Sequence, residues 1–80
     1  MIDVNVSIIG GGSFGTALAQ ILSDNGHNVL IRDINKNFVD KINLNHLHPF
    51  FDITIPEGIR ATADLNEVLS FSDTILLCVP

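Results

Sequence analysis

Cysteine, positive charge and long apolar runs are all scarce in this chain, and each scarcity removes a class of explanation. A single cysteine, Cys78, excludes an intramolecular disulfide and suits a reducing compartment. Four Lys and Arg against nine Asp and Glu give a formal charge of −5, so four scattered cations make no basic stripe for nucleic acid or an anionic membrane. A small anion held by backbone N–H groups remains compatible with that balance. The apolar run from Thr74 to Val79 is far too short to cross a bilayer. Asp3 stands where a signal peptide would carry positive charge, which points to a cytoplasmic protein. What is present, 46% hydrophobic and 16% charged residues with no low-complexity segment, is the composition of one small globular unit.

The chain reads as alternating strands and helices. Asp3 to Ile9 forms a first strand that becomes continuously apolar, as a strand covered on both faces should. The next helix carries Phe14, Ala17, Leu18, Ile21 and Leu22 at the spacing of one buried face, and Asn25-Gly26 stops it. Asn28 to Arg32 is a second strand. A second helix runs from Asn35 or Lys36 to about Leu44, with Phe38, Val39 and Ile42 inward. Asn45 to Gly58 is an irregular stretch long enough to be functional or an insertion. Ile59 to Thr62 is a third strand, and Asp64 with Glu67 three residues later opens a short helix whose apolar side is Leu65, Val68 and Leu69. Thr74 to Val79 is a buried fourth strand holding Cys78 as a small core residue. The predicted fold class is α/β: the first half of a doubly wound parallel sheet, β-α-β-α-β-α-β, with strand order 3-2-1-4 and a crevice between strands one and four. Ending at strand four, the chain reads as part of a longer, two-domain protein, poorly stable alone because that strand's face lacks cover.

The Gly10-Gly11-Gly12-Ser13-Phe14-Gly15 run lies between the first strand and the first helix, where a dinucleotide's pyrophosphate requires a Gly-x-Gly-x-x-Gly turn. Gly10 permits the tight turn, Gly12 lacks a Cβ that would block a phosphate oxygen, and Gly15 lets the helix lie close to the strand. Ser13 adds a hydroxyl as helix cap, phosphate donor, or both. Phe14 is either the first core residue of the helix or a ring that also edges the turn. Asp33 lies 18 positions beyond Gly15 at the end of strand two, where a carboxylate binds the adenosine ribose; the other reading is a helix-start carboxylate beside Asn35. Arg32 either clamps the 2′-phosphate of NADP or is a solvated strand end. Cofactor use is therefore NAD or NADP, dual or leaning to NAD.

Other chemistry-bearing residues read as structural. His46 and His48 lack a third ligand at a metal-binding spacing and are surface loop residues. His27 sits favourably past a helix end. The Asn5-Val6-Ser7 sequon lies in a buried strand and is discounted. Lys36 and Lys41 fall on a solvated helix face away from the crevice, so no catalytic set is visible.

The stretch Ile9-Gly10-Gly11-Gly12-Ser13-Phe14-Gly15-Thr16-Ala17-Leu18-Ala19 resembles the opening of the NAD(P)-dependent glycerol-3-phosphate dehydrogenases. Asn25-Gly26-His27, Ile42-Asn43, Ile55-Pro56, Gly58-Ile59, Ala61-Thr62, Asp64-Leu65 and Val79-Pro80 continue the similarity in the same order. The resemblance implies a Rossmann-like domain serving the interconversion of dihydroxyacetone phosphate and sn-glycerol 3-phosphate for phospholipid synthesis. It implies cofactor contacts from Ser13, Phe14 and Arg32, and from a loop aromatic, usually tyrosine, whose place Phe50 or Phe51 takes here. The family's catalytic lysine and its domain for the small phosphorylated substrate are implied beyond Pro80, in a full-length protein that can pair as a homodimer. Two alternatives share the first half: another two-domain dehydrogenase of the ketopantoate reductase or 3-hydroxyacyl-CoA dehydrogenase type, and a non-catalytic NAD-sensing domain.

Overall fold

The computed structural model describes residues 4–10, 12–47 and 54–78. Its elements are β1 (Asn5–Ile9), α1 (Gly12–Asp24), β2 (Asn28–Arg32), α2 (Lys36–Asp40), β3 (Ile59–Thr62), α3 (Leu65–Phe71) and β4 (Thr74–Leu77). A wider π-helical turn, Lys41–Asn45, prolongs α2. The four strands form one parallel sheet in the order β3-β2-β1-β4, as the alternating pattern predicts. Val6 pairs with Val29, and Ile8 pairs with Ile31 on one side and Leu76 on the other.

Period-two alternation divides the core between the sheet's faces. Ile8, Val29, Ile31, Ile59 and Ala61 form one cluster with Ala19 of α1, Phe38 of α2, Ile42 of the π turn and Ile55. On the other face, Ser7 is fully buried and donates its hydroxyl to the Val68 carbonyl of α3 at 2.6 Å. That bond lets a polar side chain occupy the centre of the sheet without an unmet group.

Local chemistry explains the element ends. After α1, Gly26 takes φ 90°, its N–H donates to the Ser23 carbonyl, and the His27 N–H donates to the Leu22 carbonyl. These are the two bonds of a Schellman stop, which glycine supports without Cβ strain. The Asn35 side chain caps α2 by accepting from the Asn37 and Phe38 N–H groups, and Asp64 does the same for α3 toward Asn66 and Glu67. His27 does more than sit past a helix end, since its Nδ1 accepts from the Val4 N–H at 3.3 Å.

Three burial expectations are overturned. In α1 the buried residues are Gly15, Thr16 and Ala19, whereas Phe14 is 72% and Ile21 59% exposed, and Ala17 is exposed as well. Of the predicted stripe, Leu22 packs half-buried against the core, while closest approach to the sheet selects the small residues Gly15, Thr16 and Ala19. Of the predicted apolar side of α3, Val68 is buried but Leu65 and Leu69 are exposed. β4 is an exposed edge rather than a buried strand, with Leu77 at 72% exposure and only Leu76 and Cys78 packed against the core. A run of apolar residues marks a strand suited to burial; neighbours on both sides are needed to bury it.

Candidate dinucleotide site

The glycine turn is shaped by contacts at both ends. Gly10 has φ 102° and donates its N–H to the Arg32 carbonyl at 3.0 Å, tying the turn to the end of β2. A Cβ on Gly15 would collide with the Gly10 carbonyl oxygen and lie 3.6 Å from the Cys78 Cβ. Gly15 is therefore what allows α1 to start directly above β1, and the collision with backbone cannot be relieved by a rotamer change. At Gly12 the situation is opposite. With φ 70°, its missing Cβ points into open space, with no atom within 4 Å, so the turn leaves room there for an approaching group.

Thr16 holds this start from beneath. Fully buried, it donates its hydroxyl to the Gly12 carbonyl at 2.7 Å, inside the first turn. Because α1 begins at Gly12, Ser13 stands within the first turn rather than at the cap, exposed to solvent. Phe14 is likewise exposed, which removes the core reading. Early N–H groups of a 13-residue helix lack intrahelical partners and carry the positive end of its dipole.

A cavity of about 610 Å³ extends from Gly12 past the end of β2 to α2 and the π turn. Its size falls within the roughly 300–1,000 Å³ of small-molecule sites. Asp33 lies on its wall. The Asp33 N–H donates to the Thr62 carbonyl at 3.0 Å, continuing the sheet ladder, while its carboxylate accepts from the Asn35 N–H at 2.8 Å. Asp33 thus supports the turn into α2, as the helix-start reading expects, and also lines the cavity. Arg32 is placed differently. Its Nε donates to the Ala63 carbonyl at 3.3 Å, toward β3, and it does not line the cavity.

Other wall residues were not read from the sequence as part of the site. Asn35, Asn37 and Phe38 come from the start of α2, and Asp40, Lys41 and Asn45 from its end and the π turn. Lys41, read from the sequence as part of a solvated helix face, is exposed and also lines this cavity. The one available signal was the Asx-type pattern Asp33-x-Asn35, which sets the turn bringing α2 over the strand end. His46 is half-buried at φ 52°, closing the π turn, rather than a surface loop residue. Phe50, Phe51 and His48 lie outside the described residues.

Comparison with known proteins agrees with the geometry. The family model described as the NAD-dependent glycerol-3-phosphate dehydrogenase N-terminus matches residues 5–80. Glycerol-3-phosphate dehydrogenase [NAD(P)+] of Acholeplasma laidlawii is 58% identical over 77 residues, covering 96% of this chain and 23% of that protein. The protein of the same name from Phytoplasma mali is 51% identical, with the same coverage. A crystal structure of glycerol-3-phosphate dehydrogenase from Coxiella burnetii superimposes with a TM-score of 0.85 at 30% identity, over 98% of this chain and 25% of that one. The chain thus spans about a quarter of the length of these relatives. With the turn, the strand order and the match extending over nearly the whole sequence, the chain belongs to the NAD-dependent glycerol-3-phosphate dehydrogenase N-terminus family.

Proposed function

We propose that this chain is the cofactor-binding portion of an enzyme that interconverts dihydroxyacetone phosphate and sn-glycerol 3-phosphate with NAD or NADP. The observation that carries the reading is the glycine turn: Gly15 packs where a Cβ would meet the Gly10 carbonyl, while Gly12 opens toward free space at the head of α1. Backbone N–H groups of that first turn and the Ser13 hydroxyl hold the pyrophosphate, with Phe14 edging it. Asp33 takes the ribose hydroxyls, and the cavity wall beyond it receives the adenosine. When bound, the nicotinamide supplies hydride exchange with the substrate carbon.

This chain's residues bind and orient; the proton-handling group and the pocket for the phosphorylated substrate come from the portion corresponding to the remaining three-quarters of the relatives. A cytoplasmic supply of sn-glycerol 3-phosphate for phospholipid synthesis, from a full-length homodimer, completes the proposal. Phe50 is proposed as the loop aromatic at the cofactor. The test is direct: purified full-length protein should oxidise NADH or NADPH only when dihydroxyacetone phosphate is added. Absence of turnover with both cofactors would overturn the reading.

A further inference from the structure

We infer that Thr16 is a positioning residue for the cofactor's pyrophosphate: its hydroxyl, bonded to the Gly12 carbonyl, aims the Ser13 N–H at the anion. The inference rests on the cofactor reading above and deepens it. Thr16 is fully buried beneath the turn, so it acts through the backbone and not by contact.

The geometry depends on one peptide plane. In a trans peptide the carbonyl and the following N–H point in opposite directions, so holding the Gly12 oxygen also sets the direction of the Ser13 N–H. The Thr16 hydroxyl holds that oxygen at 2.7 Å from four residues further along α1, drawing it toward the body of the helix. The Ser13 N–H then points out of the helix start, next to Gly12, whose missing Cβ faces open space. As the second residue of α1, Ser13 carries one of the early N–H groups that the helical ladder leaves without a partner.

Electrostatics acts in the same direction. A helical carbonyl has two lone pairs and the ladder uses one, which leaves the other for the hydroxyl. A carbonyl that accepts twice polarises its peptide, making the attached N–H a stronger donor to a phosphate oxygen. Because Thr16 is buried, water does not compete for the bond. In mid-helix, a threonine bonded to the carbonyl four residues back does little beyond bending the helix. Here the carbonyl belongs to the residue at which the glycine turn becomes helix. Gly10 is held separately through its N–H bond to the Arg32 carbonyl, so Thr16 fixes the helical end of the same turn.

Titrating the full-length protein with NADH, following the reduced nicotinamide's own fluorescence, tests this without reference to turnover. Thr16→Val keeps the branched shape but removes the hydroxyl, and should weaken NADH about five- to tenfold, the worth of one hydrogen bond. Thr16→Ser keeps the hydroxyl and should stay within about twofold of the wild type. Adenosine carries no phosphate, so its affinity, read by displacement of NADH, should differ by no more than about twofold between Thr16→Val and wild type. Should Thr16→Val not fold, Thr16→Ala removes the same hydroxyl with a better helix former and makes the same comparison. Wild-type affinity for NADH in the variant lacking the hydroxyl, a Thr16→Ser protein as weak as that variant, or equal losses for adenosine and NADH would overturn the positioning role. A wild type that binds neither NADH nor NADPH would overturn the cofactor-site reading, and the positioning role with it.

Discussion

The two edge strands of the sheet, Ile59–Thr62 and Thr74–Leu77, end in opposite states. At the β3 edge, Asn43 of the π turn acts as a substitute strand: its Nδ2 donates to the Ala61 carbonyl at 2.7 Å and its Oδ1 accepts from the Ala61 N–H at 2.8 Å. Phe38, Ile42 and Ile55 then cover the same side, and Ile59 and Ala61 are buried. At the β4 edge no described residue does this. Leu77 and Ile75 are exposed, and together with Phe14 and Ile21 of α1 they are large apolar side chains turned outward. Edge burial is decided by what lies beside a strand, and one well-placed amide is enough to satisfy an outer backbone pair.

Substitutions at three positions grade that contrast by unfolding free energy, read from urea midpoints. Ile31→Ala, in the fully buried centre, should cost about 2–5 kcal/mol, the range for truncating a core aliphatic with partial collapse. A cost as small as that of a surface change would mean that the central strands are not the folding core. Asn43→Ala comes next. It leaves the Ala61 N–H and carbonyl without their side-chain partner and should cost about 1–3 kcal/mol. Asn43→Asp restores only the acceptor half, so it should recover part of that loss; equal stability of all three proteins would remove the edge-closing role. Leu77→Lys, on the open edge, should change stability by about 0.5 kcal/mol or less and lower self-association in sedimentation. A loss comparable with Ile31→Ala would show that β4 is covered after all, and the comparison would collapse.

The strand–helix order and several caps were readable from residues because their causes are local. Asp64 reaches N–H groups two and three positions away, and Gly26 takes a positive φ at its own backbone. Strand order followed from the same reading, since right-handed crossovers leave few arrangements for four alternating strands. The site was legible in part. Gly10, Gly12 and Gly15 announce a turn whose steric demands are local, and Asp33 follows at the end of the next strand. Arg32 was adjacent to it in sequence, yet its side chain leaves toward Ala63, a direction that depends on where β3 and α3 pack.

What the sequence determined by itself was therefore the alternation of elements, the glycine turn at Gly12 and the family signature running through Thr16 to Ala19. The tertiary structure alone decided which apolar side of α1 meets the sheet, how Asn43 closes one edge while β4 stays open, and which charged residues share a cavity with Gly12. Periodicity records that a face is apolar, but burial and direction depend on neighbours supplied by residues distant in the chain. Asp33 and Arg32, one bond apart along the backbone, differ in this way: pleating sends them apart, and only packing assigns one to the cavity and the other to the Ala63 carbonyl.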